Sequence, residues 1–241
     1  MPSPRYPNSV FILGDLVGDR FQPVGTCFAI SDRYLLTVQH NMAQNKNKSW
    51  KKYDYAITLS VTRGVDGSVI PEELRAVSFY KYDTGKDWAI LRLEDGDSSP
   101  NLVSIPISID MVEADTDLKI FHAPVGVFNA GGEDGVSVYT DWVKSARMRE
   151  HCIPCSRGLF PGSSGGPFVT RAGFAVGMHQ ASVNHVREMQ AVYTDDAKAN
   201  FDALSDSCKS SVSNHASNCS ALHLGSCPAL VQELRDIGLP L

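Results

Sequence analysis

The chain has 241 residues, of which 43% are hydrophobic and 20% are charged. This composition is ordinary for a globular protein, and the length suits one large all-β domain or two small lobes. The formal net charge of −5 argues against a nucleic-acid-binding surface, which needs excess lysine and arginine, and no apolar run is long enough to span a bilayer. We therefore expect neither nucleic-acid nor membrane partners.

The beginning of the chain does not resemble a secretion signal. Residues 1–7 contain three prolines, and no apolar core or small-residue cleavage site follows them. We expect an intracellular protein or a processed domain of a longer precursor. The basic run at 46–52 is interpreted as a solvated loop.

The sequence between about residues 9 and 194 predicts a succession of short strands. They are rich in β-branched and aromatic residues and are bounded by Gly, Asp, Asn and Pro. Many short strands without helical periodicity between them favour antiparallel barrels or a sandwich. The predicted strands are 24–30, 34–38, 55–61, 76–80, 88–93, 118–121, 136–139, 167–169, 174–178 and 189–193.

The character of the sequence changes after residue 194. Residues 195–204 contain good helix formers, and the serine-rich stretch 205–220 is interpreted as a loop. A short helix is predicted over 228–237, with Ser226 as its N-cap, Pro228 in its first turn and Gly238 at its end.

Six cysteines leave several interpretations open. Cys152 and Cys155 form a C-x-x-C motif, which fits a local disulfide, a redox pair or half of a zinc site. The spacing of the C-terminal cysteines matches no zinc template, so we favour reduced thiols and expect no metal and no cofactor. The others are Cys27, interpreted as a small buried apolar residue, and Cys208, Cys219 and Cys227.

The glycine-rich segment 162–167, Gly-Ser-Ser-Gly-Gly-Pro, is a candidate for nucleophilic chemistry at Ser164. A nucleophilic serine must stand on a tight, uncrowded turn, and glycines permit the unusual dihedral angles and the close approach of a substrate. Such a turn can also direct two backbone N–H groups at one point. The alternative is an ordinary glycine- and serine-rich hairpin loop.

Two polar residues stand at the ends of apolar strands. His40 follows the apolar run 35–38, and it can be a general base, a satisfied core histidine or a surface histidine. Asp87 precedes the apolar run 88–93. A buried charge there needs a partner such as an imidazole N–H; the alternative is that Asp87 is an ordinary turn residue. Asp83 is the rival carboxylate, but no apolar strand directly follows it.

The order His, Asp, Ser in these surroundings resembles the chymotrypsin/trypsin superfamily of serine proteases. Residues 37–40, Thr-Val-Gln-His, resemble the family's Thr-Ala-Ala-His segment. Residues 87–91 resemble its Asp-(apolar)-Ala-(apolar)-Leu segment, and residues 162–167 resemble Gly-Asp-Ser-Gly-Gly-Pro. These motifs span most of residues 24–182, and the ordered set is far more specific than any one of them.

The resemblance implies an all-β fold, a double six-stranded antiparallel β-barrel with a C-terminal helix and a short helical extension. Residues 1–110 would form a barrel with His and Asp, and residues 111–204 a second barrel with Ser. Residues 205–241 would pack on these barrels as an extension, with a lid or a dimer contact as alternatives. The oligomeric state stays open.

The resemblance also implies a role for each matched residue. Ser164 attacks the carbonyl carbon, His40 transfers the proton, and Asp87 orients His40. The backbone N–H groups of Gly162 and Ser164 hold the oxyanion. The expected activity is that of a serine endopeptidase that acts on proteins or peptides through an acyl-enzyme.

Two departures from the trypsin pattern narrow the family. Ser163 replaces the aspartate that pairs with a newly cut N-terminus in digestive members, so we expect no such zymogen switch. The sequence is closer to HtrA-type proteases, glutamyl endopeptidases and viral members. Gly158 replaces the aspartate of the trypsin primary pocket, so Lys/Arg specificity is not expected.

Residues 176–182 resemble the pocket-wall strand of glutamyl endopeptidases and picornavirus-type proteases. His179 would then contact a Glu or Gln side chain of the substrate, or it is a strand histidine bonded locally. Leu159 stands where some Glu-specific members have a polar residue, which weakens the case for Glu. Gln180, Ala181 and Ser182 would pair with the substrate backbone.

An alternative function belongs to a different class. A catalytically silent protease-like module would keep the groove and bind extended peptides without cutting them. The presence of Ser164, His40 and Asp87 together favours the enzyme, and a small-molecule esterase is a weaker third interpretation.

Overall fold

Strands dominate the described parts of the computed structural model. These parts are residues 8–18, 20–42, 55–94, 102–129, 131, 134–148, 151–155, 159, 162–183 and 218–241. The strands are β1 Val10–Val17, β2 Arg20–Ala29, β3 Tyr34–Thr37, β4 Tyr55–Thr58, β5 Ser60–Arg63, β6 Val69–Pro71, β7 Arg75–Asp83, β8 Trp88–Leu93, β9 Asp117–His122, β10 Gly135–Ser137, β11 Tyr139–Lys144, β12 Cys152–Cys155, β13 Pro167–Thr170, β14 Ala175–Val183 and β15 Asn218–His223. The α-helices within these parts are α1 Val125–Asn129 and α2 Pro228–Asp236, and 3₁₀ turns lie at Gln39–Asn41 and Leu224–Ser226. The predicted all-β class is confirmed.

Six strands close a first barrel in the order β1-β2-β3-β8-β7-β4, and pairing of β4 with β1 completes the circle. Successive residues of a strand point to opposite faces, so alternate residues fill the interior. Phe11 and Leu13 of β1 share this interior with Leu35 of β3 and Leu91 of β8. The barrel is therefore filled by side chains.

The outer face of β2, β3 and β8 is buried as well, because it lies against the second half of the chain. Phe28, Leu36 and Ile90 form one core with Phe121 and Met178 of that half. Burial on both faces explains why the runs at 35–38 and 88–93 are continuously apolar and do not alternate with polar residues.

The second half contains a six-stranded sheet in the order β11-β9-β13-β14-β15-β12. Its two edge strands meet where Ser145 bridges Cys155, and the Ala146 N–H donates to the Pro154 carbonyl at 2.7 Å. The sheet therefore curls round on itself, and its core includes Ile120 and Phe168. Together with the first barrel it forms the chymotrypsin-like double barrel that the sequence predicted.

A small sheet of order β10-β5-β6 connects the two halves. Val61 of β5 and Val136 of β10 are buried with Val125 and Phe128 of α1. The start of α1 lies next to the Ser164 turn, because Val125 packs against Gly162.

Residues 218–220 are strand, although the sequence predicted a loop over 205–220. They belong to β15, which lies between β14 and β12 in the sheet. The segment Asn-Cys-Ser has little strand preference of its own, but two neighbouring strands supply hydrogen-bond partners on both sides. Tertiary pairing therefore overrides the local composition.

Helix α2 confirms the prediction of a helix after residue 227. Pro228 is in its first turn, and Gly238, at φ +83°, follows its end. The N-cap is Cys227 rather than Ser226, whose hydroxyl lies 2.7 Å from His223 Nδ1. Leu230 and Leu234 are fully buried in the core that also contains Phe28 and Met178, so the helix packs on the barrels.

The C-x-x-C motif lies on the edge strand β12. Residues three apart on a strand point to opposite faces, so Cys152 and Cys155 do not converge on one partner. Both thiols are free. Cys27 is fully buried, as predicted, and burial raises the pKa of its thiol. Among the described residues, no group of three or more His, Cys, Asp or Glu side chains is placed to hold a metal ion.

Outside the described residues lie the predicted strand 189–193, the predicted helix 195–204, the basic run 46–52 and residues 205–217 of the predicted loop. Within the described parts of the chain, no helix is long and apolar enough to cross a membrane.

Candidate active site

Strand register brings His40 and Asp87 together. Thr37, the last residue of β3, pairs with Ala89 near the start of β8. His40 lies in the 3₁₀ turn Gln39–Asn41 that follows β3, and Asp87 directly precedes β8. Two residues 47 positions apart in the sequence therefore lie at the same end of one strand pair.

Asp87 contacts His40 with both carboxylate oxygens. Oδ1 accepts a hydrogen bond from the backbone N–H of His40 at 2.8 Å, and Oδ2 lies 2.8 Å from the ring Nδ1. A carboxylate accepts, so Nδ1 carries the ring proton in the neutral histidine and Nε2 has a free lone pair. The arrangement can therefore orient His40 as a base.

The rival Asp83 is engaged in its own turn. Its Oδ1 accepts hydrogen bonds from the N–H groups of Gly85 and Lys86 at 2.7 Å and 3.1 Å. Asp87 closes the same turn at φ +58°, a left-handed conformation that aspartate tolerates better than most residues. The backbone of the β7–β8 turn thus separates a structural carboxylate from the one that reaches His40.

The segment that carries Ser164 is a tight turn with two glycines at positive φ. Gly162 is at φ +92° and Gly165 at φ +88°. A Cβ at Gly165 would overlap the Thr26 carbonyl oxygen, and one at Gly162 would overlap the Val125 side chain. Both positions therefore require glycine for conformation and for space.

The first barrel holds the Ser164 turn through one backbone N–H and two polar side chains, and a third side chain supports Thr26. The Ser164 carbonyl accepts from the Thr26 N–H at 2.9 Å and from Asn41 Nδ2 at 2.8 Å. The Thr26 hydroxyl donates to the Gly162 carbonyl at 2.8 Å, and the Thr37 hydroxyl donates to the Thr26 carbonyl at 2.7 Å. These contacts place Ser164 beside the turn that carries His40.

Sequence reasoning missed Thr26 and Asn41, because their partners are backbone carbonyls 136 and 123 positions away. The proximity of Asn41 to His40 in the sequence is the one signal that pointed to this region. In the structure the His40 ring bonds to Asp87, and no hydrogen bond joins its Nε2 to the Ser164 hydroxyl among the described residues.

His179 of β14 is buried next to this turn. Its carbonyl accepts from the Gly165 N–H at 2.8 Å, and its N–H donates to the Gly166 carbonyl at 2.8 Å. The residue is 2% exposed, and its ring Nδ1 is buried with no hydrogen-bond partner in the described part of the chain. Burial, with smaller contributions from His122 and His40, lowers the pKa of His179 to about 3, so the ring is neutral at physiological pH.

The remaining predicted pocket residues have different placements. Gln180 Nε2 donates to the Lys86 carbonyl at 3.4 Å, next to Asp87. Ala181 and Ser182 continue β14 and pair with β15. Leu159 is buried in the core of the second sheet, and Gly158 lies outside the described residues.

Beyond Met178, β14 has a paired edge and an unpaired one. Residues 179–183 pair with β15, whereas pairing with β13 ends at Met178. Of the described strands, none bonds to the other edge of 180–183. A register shift between His179 and Ala181 turns the strand at this point. Such an edge can accept an extended peptide as an additional strand.

Ser163 points away from this edge, into the second sheet. It is fully buried, and its Oγ lies 2.8 Å from His122 Nδ1. His122 Nε2 in turn lies 3.2 Å from Asp141 Oδ2. The sequence drew attention to Ser163 but not to His122 or Asp141.

Comparisons with known proteins place the fold. No family model and no curated protein matches the sequence. Solved structures do match, among them the crystal structure of Rv3671c protease in an inactive form, with a TM-score of 0.55 and 15% sequence identity. The match covers 96% of this chain and 89% of that one. At this identity the similarity establishes the chymotrypsin-like fold.

Proposed function

We propose that the protein is a serine endopeptidase that hydrolyses peptide bonds through His40, Asp87 and Ser164. The observation that carries the proposal is the contact of both Asp87 oxygens with His40, beside a glycine turn that presents Ser164. This contact fixes the tautomer that a general base requires. The chymotrypsin-like fold and the protease among its structural neighbours support the same activity.

The proposed reaction has two halves. Ser164 Oγ attacks the carbonyl carbon while His40 Nε2 takes its proton, and the N–H groups of Gly162 and Ser164 bind the oxyanion. The carbon–nitrogen bond then breaks, the amine leaves with the proton from His40, and Ser164 is left as an acyl ester. Water attacks this ester with His40 again as base, which releases the acid and restores the serine hydroxyl.

The proposed primary specificity is Gln, with Glu as the weaker substrate. A neutral His179 ring supplies no positive charge, and a substrate carboxylate would lose its hydration next to a buried ring. A glutamine amide carries no charge, so its approach to the ring costs less free energy of desolvation. The substrate backbone adds to the unpaired edge of Gln180, Ala181 and Ser182.

A catalytically silent module that binds extended peptides is the second candidate. The observation that favours it is the missing hydrogen bond between the His40 ring and the Ser164 hydroxyl. Catalytic hydrogen bonds are often long in enzymes without substrate, so this geometry does not outweigh the Asp87 contact. The open edge of β14 serves either function.

A fluorophosphonate, which reacts with activated serine hydroxyls, separates these candidates. We expect the wild-type chain to be labelled and Ser164→Ala not to be labelled. Ser68→Ala removes an exposed hydroxyl from the β5–β6 turn and should leave labelling unchanged. Labelling that persists in Ser164→Ala would contradict the assigned nucleophile, and an unlabelled wild type that still binds peptides would favour the silent module.

The two carboxylates of the β7–β8 turn form a matched pair of variants. Asp87→Asn should lower kcat about 10⁴-fold, because an amide no longer selects the tautomer with a free Nε2. Asp83→Asn makes the same charge change four positions away, keeps an oxygen for the turn, and should change kcat by less than about threefold. Equal losses in both variants, measured as turnover of a peptide substrate, would overturn the role of Asp87.

A further inference from the structure

Ser163 lies between the two residues whose N–H groups we propose as oxyanion donors. Its side chain is fully buried, and its carbonyl accepts from the Gly166 N–H at 3.0 Å. The peptide between Ser163 and Ser164 carries the Ser164 N–H, so the orientation of Ser163 sets the direction of that donor. Whatever fixes Ser163 therefore also fixes this proposed oxyanion donor.

The side chain of His122 fixes that of Ser163. This histidine ends β9, is buried, and places Nδ1 2.8 Å from the Ser163 hydroxyl oxygen. Its Nε2 faces Asp141 Oδ2 at 3.2 Å, across the β9–β11 ladder, in which His122 pairs with Tyr139 two positions before Asp141. A continuous chain of polar contacts therefore runs from the turn to the partly exposed Asp141.

These residues also form a Ser-His-Asp series, but they do not form a second nucleophilic centre. The Ser163 hydroxyl is sealed from solvent, so no substrate carbonyl can reach it. The ring directs Nδ1 to the serine and Nε2 to the carboxylate, the reverse of the His40 arrangement. These contacts fix the position of Ser163 and do not make it a nucleophile.

The contact survives a change in the charge of His122. Asp141 accepts, so Nε2 carries a proton. In the neutral ring, Nδ1 then accepts from the Ser163 hydroxyl, and in the charged ring, Nδ1–H donates to the Ser163 oxygen. Both forms keep two hydrogen bonds, so the contact with Ser163 does not depend on the charge of the ring.

We propose that His122, held by Asp141, is a positioning residue that anchors the Ser164 turn, and with it a proposed oxyanion donor, through Ser163. The proposal rests on the proposed function, and it identifies what holds this turn in a chain with serine where trypsin-like members have aspartate. It concerns the second barrel, whereas Thr26 and Asn41 hold the same turn from the first.

Substitutions at His122 test the proposal because amide side chains imitate one ring nitrogen at a time. The amide group of Asn reaches the position of Nδ1, and that of Gln reaches the position of Nε2. His122→Phe, which removes both contacts, should lower kcat about 10- to 100-fold with little change in KM. His122→Asn should recover most of that loss through Ser163, whereas His122→Gln should recover little.

The matched control is His223→Phe. His223 is also a buried histidine with a serine on Nδ1, Ser226 at 2.7 Å, and a backbone carbonyl on Nε2, that of Asp110 at 2.9 Å. Its loss should lower stability but leave kcat within about twofold at a temperature where the variant stays folded. Equal kcat values for wild type and His122→Phe, or equal losses in the Asn and Gln variants, would overturn the proposal.

Amide hydrogen exchange in residues 162–166 keeps this inference separate from the proposed activity. Exchange there should accelerate in His122→Phe and not in His223→Phe, whether or not the wild type reacts with a fluorophosphonate. If the wild type does not react with the fluorophosphonate but exchange is still faster in His122→Phe than in the wild type, only the proposed activity is refuted. Unchanged exchange and labelling rates in His122→Phe, with a reactive wild type, would refute only the anchor.

Discussion

At the scale of the residue, the chemistry of each histidine follows from its surroundings. His40 is partly exposed and bonded to a carboxylate, whereas His179 is buried with an unpartnered Nδ1. His122 bridges a hydroxyl and a carboxylate. One residue type thus has three environments within a few elements, and these environments favour the separate roles of base, neutral pocket wall and anchor.

His179 predicts a dependence of stability on pH. Its pKa in the folded state is about 3, below the usual value of 6.5, so the unfolded state binds its proton first as the pH falls. Stability from this group is complete above pH 6.5 and is lost on acidification toward pH 3. Between pH 7 and pH 5 the loss should be about 2 kcal/mol. Urea unfolding at the two pH values measures it.

The control for this prediction is His179→Phe, which cannot titrate. Between pH 7 and pH 5 its free energy of unfolding should fall by about 2 kcal/mol less than that of the wild type. Identical changes in the two proteins would mean that His179 is protonated equally in both states, and would remove the argument for a neutral pocket wall.

At the scale of the element, the C-terminal segment belongs to the core of the molecule. Strand β15 has a neighbour on each side, and α2 presents fully buried leucines to the apolar core that both barrels share. The remaining face of α2 is polar: Gln232 bonds to Asp236, and Glu233 pairs with Lys81 at 3.2 Å. The helix therefore contributes to stability mainly through its apolar face.

Leu234→Ala tests this role of α2. Removal of a fully buried leucine side chain leaves a cavity, so we expect a loss of about 2–5 kcal/mol in the free energy of unfolding. Gln232→Ala, on the polar face of the same helix, should cost less than about 0.5 kcal/mol. A small effect of Leu234→Ala in denaturant unfolding would show that α2 detaches easily from the barrels.

At the scale of the whole molecule, the candidate site exists only because the two barrels meet. His40 and Asp87 stand on the first barrel, and Ser164 belongs to the second. Asn41 and Thr26 connect them by donating to the Ser164 carbonyl. The relative position of the barrels is thus coupled directly to the backbone of the proposed nucleophile.

Asn41 provides the test of this coupling. Asn41→Asp keeps the shape but replaces the Nδ2 donor with an oxygen that faces the carbonyls of Ser164 and Thr26. We expect about 1–3 kcal/mol less stability, because the Ser164 carbonyl loses one of its two donors and faces a carboxylate oxygen instead. We also expect kcat to be at least about tenfold lower. Turnover and denaturant unfolding measure the two effects.

A second variant at this position defines the contrary result. Asn41→Ala removes the donor without adding a charge, so it should lie between wild type and Asn41→Asp in both measurements. If Asn41→Ala and Asn41→Asp both keep the wild-type kcat, the position of Ser164 does not depend on this contact between barrels.

The sequence by itself determined the elements whose chemistry is local. Apolar runs predicted β3 and β8, because a strand buried on both faces must be apolar throughout, and glycines marked the turn at 162–166. The helix at 228–236 followed from proline at its start and glycine at its end. His40, Asp87 and Ser164 were candidates because each adjoins one of these elements.

Only the tertiary structure decided what depends on strand register and on packing between distant segments. β15 takes its conformation from two neighbouring strands. The side chains of Cys152 and Cys155 point to opposite faces because both residues lie on the strand β12. The contacts of His122 with Ser163 and of Asn41 with Ser164 join residues 41 and 123 positions apart. Local sequence carries no record of such pairs, because a hydrogen bond depends on distance in space and not along the chain.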